Sequence, residues 1–548
     1  MPIAAVGFLA LFALDHLLAT DFTALSARTL LPQSIALELI AMLAVFVWLA
    51  RRRAEEPRAL VWALTGSVFA LGLLRLVSYL VPAYFGRPFS AASDLGLAPV
   101  LYHLVREALG STRFFIAAAS VFLGAVFLLV ALRWMIGLLW RLVGERRYQP
   151  IALLAGLTAV GWTLAATDRE AEWTPKPIEV KAAGLLYEQV EQMFRAESLR
   201  QQYRQEIARR VAGRSGIADL GKLAGRPVLL VFIESYGAIT LSDPGFRERL
   251  APARAYFARR LEEAGYHVYS DMLVSPVIGG GSWFAHASLT SGVRIDDQLH
   301  YDALIGSQAP MLAGYLARAG YDSVAAMPRM EKPWPEGRSF GFERIYTEAA
   351  FDYAGPRYSW RSIPDQFVLE TIHRRELGHV DRPRFLQYVL ASSHAAFDLI
   401  PPVVEDWGRL GDGSLYRDLG ADAHPLPPGG IFENEPGYLA AIDYDLRVLA
   451  DYLAKRLSEH GLVILLGDHQ PPLNRVLSAG ERSVPIHVLS RDADLLEPFR
   501  RAGWAEGVLP SRSAAADGME TFLERFLTGF STAAAPAAAA TGGPSTLR

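Results

Sequence analysis

The chain of 548 residues contains no cysteine, which removes disulfides, thiol nucleophiles and thiolate metal sites together. Any metal must be held by oxygen and nitrogen ligands. A strong charge of either sign is also missing: the formal net charge is −3, and the C-terminal part has no Lys/Arg cluster beside aromatics. Both facts argue against a nucleic-acid partner. No repeat period is present. The first apolar stretch lacks the basic n-region and small-residue cleavage site of a signal peptide, so it reads as a retained helix.

Apolar surface is what the chain has in excess. Its 51% hydrophobic composition and positive mean hydropathy exceed the usual soluble domain, so part of it belongs in lipid. Five stretches of near-spanning length occur before residue 170, at about 2–20, 33–50, 59–83, 114–140 and 150–167, each compatible with about 20 helical residues. Arg51, Arg52, Arg53 and Arg58 sit in one connection, and Arg141, Arg146 and Arg147 in another. By the positive-inside rule both loops are cytoplasmic. Five spans then put the N-terminus inside and everything after residue 170 on the periplasmic or extracellular side of a cytoplasmic (inner) membrane. Asp15, His16 and Arg75 fall within or near spans, where ionisable groups are either functional or at headgroup level. Asp94, His103 and Arg106 lie in the outer loop 84–112 and read as contacts to a lipid headgroup or to the outer domain.

The expected organisation is a transmembrane domain over 1–170, an amphipathic helical connector over 171–220, an extracytoplasmic domain over 221–528 and a disordered Ala/Pro/Gly-rich tail over 529–548. In the outer domain, strand-length apolar runs at 228–233, 267–274, 321–327, 385–391, 462–466 and 484–489 alternate with helical patterns at 246–264, 309–319, 365–375 and 437–459. This alternation predicts an α/β fold with a mainly parallel sheet covered by helices.

Two of those runs end in metal-type ligands. Val228–Ile233 leads into Glu234, and Leu462–Leu466 leads through Gly467 into Asp468 and His469. In a parallel sheet both sets emerge at the carboxyl edge, where α/β proteins build their sites. Each has a bland alternative, a dipole-favoured carboxylate for Glu234 and ordinary loop polarity for Asp468-His469. Their coincidence at one edge favours a shared cation. Between them, Gly279-Gly280-Gly281-Ser282 is either a flexible turn or a place where backbone approaches an ion and a phosphoryl group, with Ser282 as a metal-activated nucleophile. Ser288, Thr290 and Ser291 are rival hydroxyls without the glycine approach.

This ordered set resembles the alkaline phosphatase superfamily, and behind five spans it is most similar to the branch of lipoteichoic acid synthases and membrane phosphoglycerol transferases. The resemblance covers about 228–490, and Gly467-Asp468-His469 is its most specific part. It implies an alkaline-phosphatase-like (sulfatase-like) catalytic domain, Glu234, Ser282, Asp468 and His469 around one divalent ion, manganese ahead of magnesium or zinc, and Ser282 as a covalent nucleophile. His394, in Ala391-Ser392-Ser393-His394, matches a histidine that touches the phosphoryl group. Arg329 and Trp334 stand near a family Trp/Arg pair that contacts glycerol phosphate, at a different spacing. Ser282 replaces the synthases' threonine. His286, Arg294, Asp296 and Asp297 depart from them; His286 reads as a substrate-side proton shuttle or a helix-face residue, and Arg294 as a substrate contact.

The implied activity is transfer of a phosphoglycerol-type headgroup from a phosphatidylglycerol-like donor to a glycan or lipid acceptor. Phosphoethanolamine transfer, hydrolysis of a phosphodiester or phosphate, and a non-catalytic receptor are the alternatives. Absent cysteine speaks against the disulfide-bearing phosphoethanolamine enzymes. Ser282-Trp283-Phe284-Ala285-His286 lacks the Pro/Ala at the third place and the Arg at the fifth that a sulfatase signature carries.

Overall fold

Every side chain from Val228 to Ile233 and from Leu462 to Gly467 is buried, the signature of strands covered on both faces. Side chains alternate across a strand. Leu229, Val231 and Ile233 therefore enter one core with Leu386, Tyr388, Val463 and Leu465, while Val228, Leu230 and Phe232 enter a second with Ile464, Leu466, Ile486 and Val488.

The computed structural model describes residues 9–14, 17, 35–52, 55–85, 88–98, 102, 105–106, 111–146, 149–150, 178–179, 182–214, 219–378, 381–457, 461–510 and 516–532. The chain forms two compact units, residues 1–83 with 87–196, and residues 84–86 with 197–548.

In the second unit nine strands form one sheet. They are β1 (Val228–Ile233), β2 (His267–Val274), β3 (Asp322–Met327), β4 (Arg344–Thr347), β5 (Arg384–Val389), β6 (Leu462–Gly467), β7 (Ser483–Ser490), β8 (Ala505–Glu506) and β9 (Asp517–Gly518). The order is β8-β2-β7-β6-β1-β5-β3-β4, with β9 beside β2. From β6 to β4 all pairings are parallel. The sheet is nevertheless mixed, because β7 runs against both β6 and β2, and β8 against β2. The reason is the connection after β6, whose one helix (Asn474–Ala479) has six residues and leads back alongside β6 without a parallel crossover. β6 and β1 lie in register, with Gly467 opposite Ile233, so Asp468 and Glu234 leave adjacent strands at the same level.

The first unit carries α1 (Leu37–Ala50), α2 (Arg58–Phe85) and α3 (Ser111–Gly144), followed by the first half of α4 (Ala182–Ala212). Among the described residues two helices, over Arg58–Pro82 and Thr112–Gly144, are long and apolar enough to cross a membrane, where the sequence predicts five spans. These two correspond to the predicted 59–83 and 114–140. The 33–50 stretch yields only the 14 residues of α1, about 21 Å of helix against about 30 Å of hydrocarbon. Most of 2–20 and all of 151–167 lie outside the described residues, as do Asp15, His16, His103 and the tail from 533. Arg75 is buried and donates from Nη1 to the Leu17 carbonyl at 2.8 Å. Asp94 accepts the Ser90 N–H at 3.0 Å, closing a short helical turn, and Arg106 is exposed.

Ile464, fully buried in the second core, tests this packing. Replacing it with alanine should cost about 2–5 kcal/mol, read as a lower urea midpoint for the second unit with an unchanged m-value.

Candidate metal centre

Glu234 and Asp468 follow directly from β1 and β6. Gly467 makes the close approach possible, because a Cβ there would lie 1.9 Å from the Tyr236 carbonyl oxygen. The two strand ends are thereby tied together. Asp468 Oδ1 accepts the backbone N–H groups of Ser235 at 2.9 Å and His469 at 2.7 Å, which leaves Oδ2 buried without a hydrogen-bond partner. His469 Nδ1 is 2.8 Å from the Gln470 carbonyl. That bond places the ring proton on Nδ1 and the Nε2 lone pair toward the carboxylates, the tautomer a ligating imidazole needs.

Ser282, which comes after α5 (Ala251–Glu263) and β2 in the chain, is the first residue of α6 (Ser282–Ser291), preceded by Gly281 with φ 80°. At Gly279, with φ +70°, a Cβ would stand 2.8 Å from the Leu477 side chain and 3.4 Å from the Pro472 backbone. Only glycine suits that combination. The turn delivers Ser282 Oγ to 3.1 Å from His469 Nε2 and 3.3 Å from Glu234 Oε2. His469 Nε2 is in turn 3.4 Å from Glu234 Oε1 and 3.8 Å from Asp468 Oδ2. One ligand atom each from Glu234, Asp468 and His469 lie within 4.8 Å of one another, all three residues buried. The rival hydroxyls are committed to backbone: Ser288 bonds the Phe284 carbonyl at 2.7 Å, Thr290 the His286 carbonyl at 2.7 Å, and Ser291 the Val293 N–H at 3.2 Å.

The donor set fits a divalent cation. Two carboxylates share this pocket, and their ion pairs are to histidines alone among the described residues, whereas buried charges are otherwise paired or metal-bound. Burial, then Glu234, raises the Asp468 pKa above its ordinary value. For His469 burial pulls the pKa down, but Asp468 and Glu234 outweigh it and the net shift is upward. An oxygen-and-nitrogen set of this kind suits manganese, magnesium or zinc.

Around this cluster the structure places the other predicted residues unevenly. His286, one turn along α6 from Ser282, packs on Phe232 with ring centroids 4.1 Å apart and points Nε2 at Asp468 Oδ2 from 4.0 Å. Burial brings its pKa down to about 4. His394 is half-buried, holds the Ala395 carbonyl at 2.7 Å through Nδ1, and stacks on Trp360 at 4.7 Å; burial lowers its pKa to about 4. Arg329 has its guanidinium 5.8 Å from the Trp360 ring, with Glu331 at 3.3 Å and Glu348 at 3.8 Å. Trp334 and Arg294 are not brought into the cluster by their contacts. Trp334 packs on Phe340 and Phe342 at 4.9 and 6.1 Å, and Arg294 pairs with Asp296 at 3.6 Å beyond the far end of α6.

Two residues had no prominence in sequence. Trp360 adopts a left-handed backbone conformation, φ 54°, a strain that structures tolerate mainly where a side chain must be aimed. Nothing local in Tyr358-Ser359-Trp360-Arg361 signals it. Asp365 begins α7 (Asp365–Glu376) and takes the N–H groups of Ala391 at 2.9 Å and Ser392 at 2.8 Å, while Ser393 Oγ donates to the Glu234 carbonyl at 2.7 Å. Together they fix the loop that carries His394. An aspartate directly after Pro364, at the start of an amphipathic run, was the available signal.

No protein-family model and no curated protein matches this sequence. Solved structures do. The chain is similar to the lipoteichoic acid synthase LtaP from Listeria monocytogenes, at 14% identity over 49% of this chain and 66% of that one, TM-score 0.33. It is similar to the C-terminal periplasmic domain of EptC from Escherichia coli at 17% identity over 48% and 72%, TM-score 0.33. The phosphoglycerol transferase GacH from Streptococcus pyogenes, solved with sn-glycerol-1-phosphate, matches at 12% identity over 61% and 91%, TM-score 0.35. A protein in the alkaline phosphatase superfamily from Vibrio parahaemolyticus is also similar, at 17% identity over 49% of this chain and 60% of that one, TM-score 0.32. The chain spans just under two thirds of the length of LtaP.

Two outcomes test the centre. Asp468→Asn should weaken Mn²⁺ binding, measured by calorimetry, by more than the ~10–100-fold that losing an outer-shell partner costs. With both Asp468 and His469 titrating above their ordinary values, the metal-free fold holds protons that the unfolded chain has released, so its stability falls as pH rises. An ion displaces those protons. The gap in Tm between Mn²⁺-loaded and metal-free protein should therefore widen from about pH 5 to 8, and a constant gap contradicts the assignment.

Proposed function

We propose that the chain is a membrane-anchored, metal-dependent transferase that moves a phosphoglycerol-type headgroup from a lipid donor to an acceptor hydroxyl through a covalent intermediate on Ser282. The observation carrying this reading is the convergence of Ser282 Oγ with His469 Nε2 at 3.1 Å and Glu234 Oε2 at 3.3 Å at the N-terminal end of a helix. Glu234, Asp468, His469 and Ser282 would hold the ion, which lowers the hydroxyl's pKa and offsets developing negative charge.

Ser282 Oγ forms a bond to the donor phosphorus as the bond from phosphorus to the diacylglycerol oxygen breaks. The serine proton ends on that oxygen, and diacylglycerol leaves. An acceptor hydroxyl then attacks the same phosphorus, the bond from phosphorus to Ser282 Oγ breaks, and the acceptor's proton returns to the serine. His394 donates its Nδ1–H to the Ala395 carbonyl, so the neutral ring, with its pKa near 4, offers an Nε2 lone pair that would relay the acceptor's proton to the serine. Trp360, stacked on His394, and Arg329, over the Trp360 ring, supply a flat face and a cation for a polyol phosphate. His286 sits behind Asp468 in place of a substrate contact.

Helix α3, which exposes Val121, Phe122 and Phe127, supports a lipid donor, and Arg51 and Arg52 before α2 with Arg141 and Arg146 at the end of α3 support an extracytoplasmic placement. The acceptor is a glycan or a second lipid. Water in its place makes the same site a phosphodiesterase.

Mass spectrometry of the Ser282 peptide after incubation with total membrane lipid tests the reading. A glycerophosphoryl adduct on the wild-type peptide, absent from Ser282→Ala, is expected; a phosphoethanolamine adduct reassigns the headgroup, and an adduct that survives Ser282→Ala ends the mechanism.

A further inference from the structure

The first half of α4, residues 182–196, belongs to the same unit as α2 and α3. Two of its faces are accounted for. Glu38 Oε1 accepts the Ala183 N–H at 2.8 Å, and Gln189, buried, receives the Ala91 N–H at 2.7 Å and donates to the Phe89 carbonyl at 3.2 Å. These bonds fix the rotation of the helix about its axis. Glu188, Glu191 and Arg195 occupy the polar side.

Leu186, Tyr187, Val190, Met193 and Phe194 form the remaining face. At 100° per residue they fall within an arc of about 120°. All five are exposed, Tyr187 at 67% and Phe194 at 86%. A contiguous apolar stripe of this size on an amphipathic helix is rare on a water-facing surface. It is continuous in chemistry with the same unit's α3, where Phe115, Val121, Phe122 and Phe127 are likewise exposed at 62% or more.

We propose that this stripe lies in the headgroup–acyl boundary of the bilayer, so that residues 182–196 form an interfacial helix parallel to the membrane surface. Aromatic ends at 187 and 194 with a polar opposite face match such helices. The flank carries two carboxylates and one guanidinium and no lysine, so burial of apolar area drives the seating, and anionic lipid is not required.

The absence of cysteine makes the test direct, since a single introduced thiol is the only labelling site. Full-length protein with Val190→Cys, Phe194→Cys or Glu191→Cys, each carrying an environment-sensitive fluorophore, is reconstituted into phosphatidylcholine vesicles with and without phosphatidylglycerol. The 190 and 194 labels should be quenched several-fold more than the 191 label by lipid doxylated near the headgroup, equally in both compositions, while iodide quenches 191 alone. Iodide quenching of 194 equal to that of 191 overturns the proposal. Protection of 194 from both quenchers also overturns it and shows a protein surface covering the stripe. Tyr187→Cys repeats the measurement if Phe194→Cys folds poorly. A Val121→Cys label on α3 separates the two levels: quenching by deep doxyl lipid there, with 194 in water, retires the interfacial helix and keeps the membrane anchor.

Discussion

Two carboxylates and an imidazole buried at one sheet edge, without a lysine or arginine partner among the described residues, set the terms for this molecule. Taking such charges out of water costs several kcal/mol per ion unless something of opposite charge joins them. The surrounding architecture supplies every contact to them except that one. Asp468 Oδ1 is saturated by backbone N–H groups while Oδ2 is left open, and His469 is held in the ligating tautomer.

The fold concentrates these groups because β1 and β6 are adjacent, parallel and in register, so that their first residues beyond the sheet emerge side by side. A hydroxyl is then added from a third direction by a turn that only glycines can make, and it arrives at the start of a helix, where developing negative charge is favoured. The loop with His394 is pinned from below by Asp365 and Ser393. Rigid support of this kind is what precise placement of a reacting centre demands.

Much of this was legible in the sequence, and the reasons are specific. Strands β1 and β6 read clearly because strands buried on both faces are unbroken apolar runs, and their ends fixed Glu234, Asp468 and His469 as neighbours. Ser282 was legible through its three glycines. Strand β4 was not, since Arg344-Ile345-Tyr346-Thr347 is half-polar and only partly buried at the sheet edge. The reversal of β7 escaped because apolar content marks a strand without giving its direction. Trp360 was invisible for a related reason: its placement rests on a backbone conformation, and Trp334, which stood in a more suggestive stretch, is taken up by packing against Phe340 and Phe342. The count of five spans rested on hydropathy alone, which measures length of apolar sequence and not where a helix starts; α1 starts four residues later than the 33–50 stretch.

The most direct measurement is anomalous X-ray scattering from crystals of the protein grown with Mn²⁺. The account predicts one manganese peak bounded by Glu234, Ser282, Asp468 and His469, at about 2.0–2.3 Å from their ligand atoms. A structure with those four side chains as close as they are here and no anomalous density between them, or with manganese bound only elsewhere, would contradict it.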